Sequence, residues 1–118
     1  MTREVTIYHN PRCSKSRATL ELLREQGIEP NIIEYLKTPP SQAELTRILK
    51  MLGMAPRELM RSKEAEYREQ GLDNPDMNRN DLVKAMHDTP KLIERPIVVA
   101  NGKAALGRPP EQVLEILD

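Results

Sequence analysis

Val5-Thr6-Ile7-Tyr8-His9-Asn10-Pro11-Arg12-Cys13-Ser14-Lys15-Ser16-Arg17 passes from a strand pattern through a polar turn into a helix start, and its reading decides the fold. Val5, Ile7 and Arg3 alternate with Thr6 and Tyr8, and the β-branched content predicts a strand over about residues 3–8. His9 to Cys13 interrupt it. Ser14 or Ser16 is placed to cap a helix reaching about Gln26, with Ala18, Leu20, Leu22 and Leu23 on its apolar side and Gly27 as its stop. A cysteine between strand and helix faces the free N–H groups of the helix's first turn, which stabilise a thiolate or an incoming oxyanion.

Beyond that stretch, Ile32, Ile33 and Tyr35 within Pro30 to Leu36 predict a second strand. Ser41 with Glu44 is a capping-box signature, and Leu45, Ile48, Leu49 and Leu52 form one helical face ending at Gly53. Pro56 opens a short helix with Leu59 and Met60. The charged Ser62 to Gly71 segment and the polar Asp73 to Asn80 linker lead to a helix capped by Asn80 or Asp81 and carrying Leu82, Val83 and Met86. Ile97 to Val99 give the strongest strand pattern, Asn101-Gly102 is the preferred two-residue hairpin turn, and Ala104 to Leu106 return as an edge strand. Pro109 or Pro110 opens a last helix with Val113, Leu114 and Leu117. The predicted fold is α/β: a mixed four-stranded sheet, parallel through its first crossover and antiparallel through its hairpin, with helices on both faces. One domain over residues 1–118 is expected, with a helical insertion over about 41–90.

The chain has 118 residues, enough for one modest core without a metal or disulfide staple. No apolar run reaches membrane-span length and no leader pattern precedes the first strand, so a cytoplasmic setting without a membrane partner is expected. Lys plus Arg and Asp plus Glu both number 18, so no global field recruits nucleic acid; a monomer is expected. The one cysteine excludes an intramolecular disulfide, a four-cysteine metal site and an internal dithiol cycle. No bound metal or cofactor is expected.

Read by residue alone, Cys13 is either a nucleophile or an inert buried side chain. His9 is either a structural or hydrogen-bonding residue or a general base. Asn10 and Pro11 shape the turn. Arg12, Lys15 and Arg17 are either solvated charges or anion donors, and Ser14 and Ser16 either cap the helix or donate to a thiolate or oxyanion. Arg61, Arg95 and Arg108 each fall at an element edge, where guanidinium forks either pair with carboxylates or clamp a tetrahedral oxyanion. Pro96 heads the most apolar strand, where a missing N–H is tolerated.

Ile7 to Arg17, Glu58 to Arg61, Glu94 to Val99 and Gly107 to Glu111 together resemble the glutaredoxin-coupled arsenate reductase family, the ArsC family, over essentially the whole chain. The resemblance implies a thioredoxin/glutaredoxin-like core with a helical insertion and a nucleophile matching Cys13. It also implies oxyanion-binding arginines matching Arg61, Arg95 and Arg108, a site histidine matching His9 and a cis proline matching Pro96. As function it implies reduction of arsenate to arsenite through a cysteine–arsenic intermediate, with glutathione as co-substrate and glutaredoxin as partner. The alternatives are a glutathione-dependent thiol oxidoreductase with another substrate, and a polymerase-binding regulator resembling the Spx type, whose two-cysteine switch is absent at Cys13 to Ser16.

Overall fold

A computed structural model describes residues 4–117 of the chain. Its elements are β1 (Val5–His9), α1 (Ser14–Glu25), β2 (Asn31–Glu34), α2 (Gln42–Leu52), α3 (Ala65–Glu69), α4 (Arg79–Asp88), β3 (Ile97–Ala100) and β4 (Lys103–Leu106). Three 3-10 helices accompany them: Pro56–Leu59, Pro90–Leu92 and Pro110–Ile116. The expected α/β class with a mixed four-stranded sheet and flanking helices is present, in the order β2-β1-β3-β4.

Two compact units divide the chain. One comprises the chain up to Thr38 together with the stretch from Arg95 onward, and the other is Pro39–Glu94. The first holds the whole sheet. Its core joins Val5, Ile7, Val98 and Ala100 from one sheet face to Leu23 of α1 and to Val113, Ile116 and Leu117 at the end of the chain. This alternation of inward residues is what β1 and β3 require of strands with a covered face. The second unit packs α2 against α4 and buries Leu45, Ile48, Leu49, Leu82, Val83 and Met86.

Local chemistry explains the element ends. Gly27 stands at φ 77° after α1, with its N–H on the Arg24 carbonyl (2.9 Å) and the Ile28 N–H on the Leu23 carbonyl (3.0 Å), a Schellman stop that favours glycine. Ser41 and Glu44 close the expected capping box at α2. Asn101 (φ 56°) and Gly102 (φ 72°) form the two-residue turn between β3 and β4, where both central residues need positive φ.

Two expectations need correction, and two others become more exact. Cys13 itself, extended at φ −94° and ψ 124°, is the N-cap of α1, because its carbonyl accepts the first helical N–H from Arg17 (3.0 Å) while Ser16 turns inward. Asn78, not Asn80 or Asp81, caps α4, since its side chain reaches the Asp81 N–H (2.9 Å). The final helix is 3-10 throughout. The first strand runs over Val5–His9, and Arg3 lies outside the described residues.

Strand register fixes where the loops meet. β1 and β2 run parallel with His9 opposite Glu34, β3 runs antiparallel to β1 with Ile97 opposite Tyr8, and β4 runs antiparallel to β3 with Leu106 opposite Ile97. The loop after β1, the turn after β2, the approach to β3 and the exit from β4 therefore share one sheet edge. Asn10 to Cys13, Tyr35, Arg95 and Arg108 come from those four segments.

Candidate active site

The loop from Asn10 to Cys13 is held by its own backbone. Cys13 N–H donates to the Asn10 carbonyl (3.0 Å), and the Asn10 side-chain oxygen accepts from Arg12 N–H (3.0 Å). These bonds tighten the turn and leave Cys13 at the mouth of α1. The first turn of α1 has no acidic residue, whereas α2 and α4 carry Glu44 and Asp81 there. The positive end of the α1 dipole thus lacks a carboxylate, and a Cys13 thiolate is the anion placed to meet it.

Cys13 is a free, half-buried thiol. Burial is the largest influence on it and opposes ionisation. The Ser16 N–H, the Arg95 side chain and the Lys15 N–H donate toward the sulfur, and the Arg95 charge adds to them, so the thiol lies below its ordinary pKa. Arg95 therefore acts on the sulfur from the approach to β3. Arg108, leaving β4, donates from Nη1 to the Arg95 carbonyl (3.1 Å) and ties the two arginine-bearing segments together. The Arg95–Pro96 peptide is cis, and Gly107 N–H donates to the Pro96 carbonyl (3.0 Å).

Under the loop lies a buried polar pair. Ser16 Oγ accepts from the Asn10 N–H (3.0 Å) and lies 2.7 Å from His9 Nδ1. His9 is held below its ordinary pKa chiefly by burial, aided by the Arg24 and Arg17 charges and opposed by Glu34. It is a neutral imidazole at physiological pH.

The remaining expected residues are distributed as follows. Lys15 brings its backbone N–H to the sulfur while its side chain is exposed, and Ser14 is exposed on α1. Arg17 Nη1 donates to the Pro11 carbonyl (3.0 Å). Arg12 is exposed and lines a cavity of about 360 Å³ with His9, Asn10, Pro11, Glu34, Leu36 and Lys37. Arg61 belongs to the other unit, where Nε pairs with Glu94 at 3.3 Å and the Arg61 N–H donates to the Leu92 carbonyl (2.7 Å).

Tyr35 was expected only as a strand residue. It lies just past β2, and it shares the sheet edge with Asn10 because β1 and β2 run parallel in register. Its ring is buried beside Arg95, Cys13 and Asn10. The parallel pairing was the sequence signal that could have placed it there.

Residues 8–116 match the family model of the ArsC family. The chain is 60% identical over 118 residues to the uncharacterized protein YfgD of Escherichia coli (strain K12), with 99% of each chain covered. It is 53% identical to the arsenate reductase of Neisseria meningitidis serogroup A, covering 97% of this chain and 98% of that one. The solved arsenate reductase from Vibrio cholerae superposes with a TM-score of 0.96 at 55% identity, over 98% of this chain and 99% of that one.

These findings correct the expected coupling to glutathione and glutaredoxin. A multi-cysteine relay moves an adduct between cysteine sulfurs, and Cys13 is the chain's only cysteine, so the chain holds no second thiol to receive one. The family match and the relatives' names carry arsenate reduction and do not extend to that co-substrate or that partner.

Proposed function

Because the chain belongs to the ArsC family, we propose that it is an arsenate reductase with Cys13 as its nucleophile. The reading rests above all on one observation: the thiol stands at the mouth of α1 with Arg95 and two backbone N–H groups acting on it, so that its ionised form is favoured against burial. The high identity to proteins named arsenate reductases, 53% and 55% over nearly the full chain, supports the same substrate.

In this reading the thiolate attacks the arsenic of arsenate, a sulfur–arsenic bond forms, and an arsenic–oxygen bond breaks with loss of water once a proton is supplied. No electrons change hands in that step. Conversion of arsenic(V) to arsenic(III) then takes two electrons from a donor outside the chain. Arg95, with the Ser16 and Lys15 N–H groups, neutralises charge on the oxyanion as it adds, and donors fixed before reaction need not reorganise during it. Arg108 holds the Arg95 backbone in place.

The test is arsenite formation from arsenate with dithiothreitol as chemical reductant, followed by separation of the two arsenic species. Wild-type protein should raise arsenite above the protein-free background and Cys13→Ser should return it to background. Equal arsenite from both would refute Cys13 as nucleophile, and none from either would refute the substrate.

A further inference from the structure

Two polar atoms at the site are buried without a hydrogen-bond partner among the described residues: Tyr35 Oη and Arg95 Nε. Tyr35 as a residue is only 1% exposed. Arg95 and Asn10 come near enough to its hydroxyl to influence it, yet neither completes a hydrogen bond of good geometry. A buried orphan is uncommon, because leaving it costs the desolvation of the group. Here both orphans can donate: guanidinium Nε–H has no acceptor capacity, and the phenol carries a proton. Burial pushes the Tyr35 pKa up, so the hydroxyl stays protonated through the physiological range.

Two neighbouring donors beside a thiol that is favoured as an anion share one missing complement, an acceptor. We infer that Tyr35 is an anion-binding residue of the site, its hydroxyl donating together with Arg95 Nε to an oxygen of the tetrahedral oxyanion at Cys13. This rests on the arsenate reading and adds a donor that no motif around Cys13 contains. It also explains why a tyrosine rather than a phenylalanine fills a site whose ring is fully enclosed: without the anion, the hydroxyl only costs stability.

That last point separates a binding role from a structural one. Tyr35→Phe keeps the ring and removes the orphan, so the anion-free variant should melt at or above the wild-type temperature. Arsenate binding is read in the same samples, without reductant, as protection of Cys13 against iodoacetamide. One hydrogen bond to a charged group is lost, so the arsenate concentration giving half-protection should rise about ten- to a hundredfold. An unchanged half-protection concentration in Tyr35→Phe, with the wild type protected, would overturn the role of Tyr35 and leave the arsenate reading standing. A lowered melting temperature in the variant would also overturn it, by showing that the hydroxyl supports the fold. Absence of protection in the wild type would overturn the arsenate reading and the Tyr35 inference together.

Discussion

Replacing Arg95 with alanine removes the one side chain that acts on the Cys13 sulfur by both hydrogen bonding and charge. Two unit charges about 4 Å apart interact by about 1 kcal/mol in water and about 4 kcal/mol at an effective dielectric constant of 20. Cys13 is only half-buried, so solvent screening holds the Arg95 contribution near the lower figure. About 1 kcal/mol corresponds to roughly a fivefold smaller thiolate population at neutral pH. Arg95→Ala should therefore alkylate with iodoacetamide about five times more slowly at pH 7, with the rate profile displaced to higher pH. The carbonyl that accepts from Arg108 is backbone and survives the substitution, so the segment keeps its anchor. Because the chain has one cysteine, the label reports this sulfur alone. A profile superimposable on wild type, in a variant with a native circular dichroism spectrum, would refute the electrostatic account of the site.

Two further outcomes concern the scaffold. His9 lies below its ordinary value of 6.5, chiefly through burial, so the unfolded chain binds a proton there more readily than the folded one. Its contribution to stability should be complete above pH 6.5 and decline as the pH falls from 6.5 toward the depressed folded value, seen as a falling urea midpoint; a midpoint that rises across that interval would contradict the buried neutral imidazole. Gly107→Ala should cost about 1–3 kcal/mol in urea denaturation, because a Cβ there would overlap Thr19 Oγ1 and stand 2.7 Å from Pro96 Cγ. Wild-type stability would show that the backbone between β4 and Arg108 moves freely away.

Local chemistry made much of this legible from the sequence. The Ser41/Glu44 box, Gly27 after α1 and the Asn101-Gly102 turn each depend on residues close together in the chain, and each stands where the pattern places it. Cys13 was legible for the same reason, since strand, turn and helix start are contiguous. Ser16 was not. Its spacing suits either a cap or an anion donor, and only its position against β1 turns the hydroxyl inward to His9 and Asn10. Tyr35 was hidden more deeply, because an aromatic residue after Ile32 and Ile33 satisfies a strand pattern whichever way its hydroxyl points. Its nearness to Arg95 is a product of sheet register, 60 positions along the chain (95 minus 35), and no local period encodes that.

The same register sets stability against chemistry. Along β1 the inward side chains satisfy the core, and the buried Ser16 and His9 side chains meet the usual demand that buried polar groups be bonded. At the edge where β1 and β2 end and β3 begins, that demand is broken at Tyr35 Oη and Arg95 Nε, next to a thiol whose burial opposes the charge its donors favour. Unmet donors in a folded protein are a standing cost, and they become an advantage only when something brings an acceptor. A fold that satisfied Tyr35 and Arg95 from within would be more stable and would bind a tetrahedral anion less well. Substitutions at this edge should accordingly separate melting temperature from anion affinity, whereas substitutions such as Gly107→Ala, which disturb packing, should lower both.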